Sequence, residues 1–320
     1  MALIELTHVT KDFTTYRRVG RVRRTRATVR AVDDISLTID AGEVVGYIGP
    51  NGAGKSTTIK MLTGILVPTS GEIRVAGLDP QRRRVELARR IGVVFGQRTQ
   101  LWWDLPLRDS FDLLRHVYRV DAARHSDNLE EFIALLDLGP FLDTPVRQLS
   151  LGQRMRGEIT AALLHDPSVL YLDEPTIGLD VVSKQRVREF LTRVNRKRNV
   201  TILLTTHDLD DVERLSSRLV VIDDGRIIHD GKVDEVKDHY VQYRTLVVDL
   251  DEPAAPLQIE HAEVVRVDGP RQWLRFARDQ VTAAELVATV ALTTNLRDLT
   301  IEEPDIEDVV KLMYARGGAT

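Results

Sequence analysis

Apolar residues fall into two rhythms along this chain. Short continuous runs at residues 43–48 (EVVGYI), 168–172 (SVLYL) and 200–204 (VTILL) read as buried strands. The opening stretch MALIELTHVTKDF alternates polar and apolar positions, the pattern of a strand with one covered face. Residues 109–120, 128–136 and 153–165 instead repeat apolar side chains at three- and four-residue spacing, which predicts helices. Strand–helix alternation resumes over 167–230, implies a mostly parallel sheet, and closes on a hairpin at Asp224-Gly225. From residue 236 the style changes. Strands are predicted at 243–250, 263–267, 272–276 and 296–301, with helices at 283–293 and 305–314. The expected organisation is an α/β domain over 1–235, with a helical part at about 98–165, and a small α+β accessory domain over 236–320.

Composition narrows this picture. The 320 residues carry a net charge of −4, so no global positive excess points to nucleic acid. The absence of cysteine excludes disulfides, thiolate metal sites and cysteine nucleophiles. No apolar run approaches the roughly 18–20 residues of a membrane helix, and the N-terminus lacks the build of a signal peptide. A soluble chain is expected, whose membrane role, if it has one, comes through a partner.

The chemistry begins at Gly49-Pro50-Asn51-Gly52-Ala53-Gly54-Lys55-Ser56-Thr57, which fits the phosphate-loop pattern G-x-x-x-x-G-K-[ST] between a predicted strand and a predicted helix. Glycines let such a loop wrap closely around a polyphosphate and aim backbone N–H groups inward. Lys55 is placed to reach the β- and γ-phosphates, Ser56 to ligate Mg²⁺, and the helix N-terminus favours negative charge. A nucleoside triphosphate is the implied ligand. Downstream, a second apolar strand ends in Asp173-Glu174. Asp173 is placed to hold Mg²⁺, and Glu174 to polarise a water for attack on the γ-phosphorus.

Leu149-Ser150-Leu151-Gly152-Gln153 resembles the signature of ATP-binding cassette (ABC) ATPases, usually L-S-G-G-Q, with Leu151 in place of a glycine. Gln97, Gly178-Leu179-Asp180 and His207 follow that family's order of Q-loop, D-loop and switch histidine, and the resemblance covers about residues 1–235. It implies an α/β P-loop fold with a mixed, mainly parallel core sheet, an antiparallel β subdomain and a helical subdomain. It also implies two cassettes packed head to tail, as a homodimer or with a related chain, each ATP lying between one phosphate loop and the other's signature helix. Ser150, Gly152 and Gln153 then approach the partner's ATP. Gln97 senses Mg²⁺ and the attacking water, Glu174 is the general base, Asp180 is a cross-dimer contact and His207 is the γ-phosphate switch. Phe13 stands where the family often has an adenine-stacking Tyr or Trp, with Tyr16 as its competitor. Leu151 resembles variants found in multidrug and polymer exporters of the ABC-2 type, and hydrolysis is expected to survive it.

Two segments fall outside these motifs. Trp102 and Trp103 follow Gln97, where family cassettes grip a transmembrane partner, and are read as a contact for a permease; local core packing is the alternative. Residues 17–30 hold seven arginines and no acid, and read as a solvated insertion in a surface hairpin between the first two strands, or as a surface for an anionic lipid, a nucleic acid or an acidic partner segment. The expectation is the ATP-hydrolysing subunit of an ABC exporter at the cytoplasmic face of the cell membrane, with ATP and Mg²⁺ as ligands and no nucleic-acid partner. An importer ATPase is the alternative within transport. A soluble DNA-repair ATPase would carry a long coiled coil between the motifs, whereas only 92 positions separate Thr57 from Leu149.

Overall fold

The computed structural model describes residues 2–19, 23–96, 99–206, 208–233, 235–236, 243–277, 279–302, 307, 309–310 and 313–314, and the side chains of 16–26 are not described. Gln97, His207, the Tyr16 ring and most of the helix expected at 305–314 therefore lie outside the described residues or side chains. The chain forms two compact units, residues 1–231 and 232–320.

The first unit is built on six strands in the order β5-β6-β7-β3-β8-β9: Ile91–Phe95, Val169–Asp173, Thr201–Thr205, Val44–Ile48, Arg218–Asp223 and Arg226–Lys232. The pairs from β5 through β8 are parallel. Such a sheet must be covered on both faces, and the alternation along β6 shows how. Val169 and Tyr171 enter one core, whereas Leu170 and Leu172 enter the other. The first core is closed by helix α1 (Lys55–Leu62) and an antiparallel sheet β2-β1-β4, made of Arg23–Asp40, Ala2–Val19 and Ser70–Val75. The short helix α2 (Arg84–Ala88) adds Leu87 to it. The second core is closed by helices α3 (Leu107–Tyr118), α4 (Ala122–Leu136), α5 (Leu151–Leu163) and α6 (Val181–Arg198), and helix α7 is Leu209–Leu215.

Local chemistry sets the ends of these elements. Helix α4 starts six residues before the apolar repeat begins, because the Asp121 carboxylate accepts from the N–H groups of Ala123 and Arg124. The described part of the arginine-rich stretch belongs to a hairpin, as the sequence reading expects. The strands themselves run through it, pairing Arg17 with Thr25, Arg18 with Arg24 and Val19 with Arg23. Ladder bonds use only backbone groups, so a polar sequence extends a hairpin once its apolar base is anchored. That anchor is Ile4, Leu6, Val9, Val32, Ile35, Leu37 and Ile39, all buried.

The second unit is an antiparallel sheet in the order β11-β12-β10-β13: Ala262–Asp268, Arg271–Ala277, Tyr243–Leu250 and Leu296–Glu302. Helix α8 (Ala283–Thr293) packs Leu286 and Val290 against Leu246, Val248, Leu274 and Phe276. Gln272 is fully buried; its amide donates to the carbonyls of Ala254 and Ala255, and its oxygen accepts from Leu257 N–H. One side chain thus fastens the loop that precedes β11.

Candidate active site

Strand β3 delivers the chain into the loop that precedes α1. Two glycines there are sterically required. A Cβ on Gly49 would lie 2.3 Å from the Ile222 carbonyl oxygen, and Gly54 takes φ +109° with its Cβ position 2.5 Å from the Ala31 carbonyl oxygen. Lys55, 8 % exposed, folds back so that Nζ donates to the carbonyls of Gly49 (2.5 Å) and Pro50 (3.1 Å). Burial pulls its ammonium below the usual lysine range, against the opposing pull of the Glu174 and Asp173 carboxylates. A desolvated cation facing two carboxylates is the electrostatic reverse of an empty apolar cleft; it suits a polyanion that brings its own cation.

Asn51, Gly52, Gly54, Lys55, Ser56 and Thr57 line a cleft of about 470 Å³ together with Phe95, Asp173 and Glu174. Asp173 closes β6 and accepts a hydrogen bond from the Thr205 hydroxyl at 2.6 Å, which fixes its carboxylate at the sheet end. A hydroxyl at Ser56 and a carboxylate at Asp173 are hard oxygen donors. That set fits Mg²⁺, which takes few protein ligands and completes its shell with phosphate and water. Among the described residues no cluster of three or more His, Cys, Asp or Glu side chains offers an all-protein metal cage.

Glu174 sits at φ +56° immediately before Pro175. Left-handed backbone is unfavourable for a residue with a Cβ, and the following proline opposes helical conformations too, so the arrangement costs about 1–3 kcal/mol. Its N–H donates to the Thr205 carbonyl at 2.8 Å. Two residues on, the buried Thr176 hydroxyl donates to Oδ2 of Asp211 on α7. Asp211 is 0 % exposed, and Arg188 of α6 binds its Oδ1 through both Nε and Nη2. Nη1 of Arg188 also meets Asp210 at 2.9 Å, and Lys184 meets Asp208 at 2.5 Å. Sequence reading missed Thr176, Arg188 and Asp211. The available signal was an acid, Asp211, beside Val212 on the buried side of a short helix.

The signature residues lie apart from that cleft. Ser150 caps α5 in a reciprocal box: its hydroxyl accepts from Gln153 N–H, and the Gln153 side chain accepts from Ser150 N–H. The helix begins at Leu151, two residues earlier than the spacing predicts, because this box fixes its first turn. Gly152 faces Ser183, where an added Cβ would stand 3.0 Å from the hydroxyl. Leu151 packs its Cδ2 against Gly178. Asp180 caps α6, accepting from Ser183 N–H and hydroxyl, and these bonds hold its carboxyl below the usual range. The starts of α5 and α6 are therefore packed side by side through residues 151–152 and 178–183.

Phe13 lies on β1 opposite Val29, with the Lys11 ammonium 5.2 Å from its ring centre, outside the lining of the cleft. Trp102 and Trp103 are 40 % and 49 % exposed, and the Arg154 guanidinium lies 5.9 Å from the Trp103 ring. Behind them Glu158 of α5 is buried, accepting from the Thr99 hydroxyl and from Gln100 N–H, and burial pushes its carboxyl above the usual range. No helix among the described residues is long and apolar enough to cross a membrane.

Residues 32–177 match the family model described as "ABC transporter". The chain is 33 % identical over 216 residues to the ABC transporter ATP-binding protein NatA of Bacillus subtilis, covering 68 % of this chain and 87 % of that one. It is 34 % identical to the methionine import ATP-binding protein MetN 2 of Enterococcus faecalis, over 74 % of this chain and 67 % of that one. It is 36 % identical to the daunorubicin resistance ATP-binding protein DrrA3 of Streptomyces coeruleorubidus, over 65 % of each. Among solved structures it resembles an ATP-binding subunit of an ABC transporter (TM-score 0.63, 26 % identity, 74 % of this chain and 93 % of that one). It also resembles a dimeric ATP-binding cassette in a post-hydrolysis state with ADP and Pi (TM-score 0.60, 25 % identity, 72 % and 98 %).

Proposed function

The chain belongs to the ABC transporter ATP-binding family, and from that premise we propose that it powers export through separately encoded membrane subunits. As a member of that family it is an ATPase subunit that works with transmembrane permease components. The ATPase part of this reading is carried by the cleft that gathers the phosphate loop, Asp173 and Glu174, and the export part is supported by the likeness to a daunorubicin resistance ATP-binding protein.

In this proposal Gly49–Thr57 wraps the phosphates of ATP, with Lys55 on the β- and γ-phosphate oxygens. Ser56 and Asp173 hold Mg²⁺, which supplies charge neutralisation between those oxygens when bound. Glu174 takes a proton from the attacking water, and Gln97 and His207 complete the γ-phosphate end. Ser150, Gly152 and Gln153 of a second copy, or of a related cassette, close over the same nucleotide, with Asp180 at the cross-dimer contact. ATP touches both partners only in the closed pair, which is the differential affinity that drives closure. Trp102 and Trp103 serve as the contact for the permease at the cytoplasmic face of the membrane. Phe13 stacks on adenine, and residues 236–320 form an accessory domain.

Glu174→Gln tests the catalytic assignment: ATP-bound dimers accumulate on a sizing column while phosphate release is nearly lost. Wild-type turnover in that variant removes Glu174 from its role. Import is the second reading, favoured by the likeness to a methionine import ATPase. Reconstitution with the membrane subunit in vesicles of defined orientation decides the direction.

A further inference from the structure

We infer that Thr176, Asp211 and Arg188 form a buried clamp that positions Glu174, an inference that rests on reading Glu174 as the general base. Glu174 holds a left-handed backbone before a proline, a conformation that local preferences oppose. Such a residue stays in place only where its surroundings over-determine it. At its own position its N–H donates to the Thr205 carbonyl and its carbonyl accepts from Ile177 N–H at 3.4 Å, both main-chain bonds. The next anchor along the chain is the Thr176 hydroxyl, buried at 1 % exposure and donating to Asp211.

Asp211 is a fixed acceptor. It has no solvent access, and Arg188 grips it from α6 through two nitrogens. Arg188 in turn is held by Asp210, and Lys184 one turn earlier is held by Asp208. The loop that leaves Glu174 is thereby tied to two helices at once: α6, which is capped by Asp180, and α7, which starts two residues after His207. Thr176 and Asp211 do not themselves line the cleft and are not part of the phosphate loop, so they are positioning residues. Releasing the hydroxyl lets residues 174–176 relax toward extended backbone and moves the Glu174 carboxylate relative to the sheet end.

The test uses the full-length chain and compares Thr176→Val, which keeps shape and loses the donor, with Thr176→Ser, which keeps the donor. Thr176→Val is expected to lower kcat for phosphate release at least ~10-fold, toward the ~100-fold that a 1 Å misplacement costs, with KM for ATP within about twofold. Thr176→Ser is expected to retain kcat within about threefold, a rescue that a merely structural role would not produce. Asp211→Asn is measured alongside: its side-chain oxygen still accepts from Thr176, and kcat is expected to lie between the two, which keeps the inference open to refutation if the valine variant does not fold. Wild-type kcat in Thr176→Val, equal loss in the valine and serine variants, or wild-type kcat in Asp211→Asn overturns the clamp. Glu174→Gln in the same assay separates the two failures. If it turns over normally, the base assignment falls; if it is inactive while Thr176→Val is normal, only the clamp falls.

Discussion

Replacing Arg188 with methionine should unfold the first unit well below the wild-type temperature. The substitution keeps most of the side-chain volume and removes the guanidinium that faces Asp211 from 11 % exposure. Asp211 is then a carboxylate with no solvent access and one hydroxyl partner, Thr176. Breaking a buried pair by deleting one member costs about 3–5 kcal/mol, because the other charge is left uncompensated. Asp210, half exposed and still bonded to Arg214 at 2.6 Å, adds little to this loss. In a unit of this size each kcal/mol moves Tm by roughly 2–4 °C, so a fall of about 6–20 °C is expected. Tryptophan fluorescence reads the transition, since Trp102 and Trp103 lie in the first unit; a Trp273→Phe background removes the signal of the second. Adding Asp211→Asn to Arg188→Met neutralises the stranded group, keeps an acceptor for Thr176, and should recover at least half of the loss. A shift under about 2 °C in Arg188→Met, or no recovery in the double variant, refutes the argument that buried charge compensation is what Arg188 supplies.

Three further outcomes are expected. Glu158 has its folded-state affinity for a proton raised by burial, so its stabilising contribution is complete below the ordinary glutamate range and is lost as pH rises through the higher folded value. The Tm of Glu158→Gln should therefore gain on wild type between pH 5 and pH 8, and a constant difference would contradict this. Gly49→Ala places a methyl 2.3 Å from a backbone oxygen that cannot rotate away, and nucleotide titration should show at least a ~10-fold loss of ATP affinity; unchanged affinity would show that the loop has room. Trp102→Ala and Trp103→Ala should each reduce co-purification with the membrane subunit while leaving ATP binding intact, and full recovery of the complex with both variants would end that assignment.

Much of the cleft was legible because its parts are local. Lys55 and Ser56 follow a strand and open a helix, and Asp173-Glu174 close an apolar run, so short-range pattern was enough to place them. Ser150 and Gln153 are just as local, but the helix was read from Gln153 and the reciprocal bonds that start it at Leu151 were not foreseen. The opening of α4 was missed because residues 122–127 lack apolar periodicity, and only the cap at Asp121 marks it. The arginine stretch was read as part of a surface hairpin, but how far β1 and β2 stay paired through it was not legible, because backbone pairing leaves no trace in side-chain polarity. The Thr176–Asp211–Arg188 set was invisible for a different reason. Its members come from a loop and two helices, 35 and 23 positions apart, and only tertiary packing makes them neighbours.

Ser150 and Gln153 satisfy each other before any guest arrives at the first turn of α5. The first turn is therefore framed in advance, and in the proposed closed pair a phosphate arriving there would have little local freedom to quench. On that reading, recognition at this end of the helix would be governed by how the whole surface approaches, since the receiving groups have little rearranging left to do.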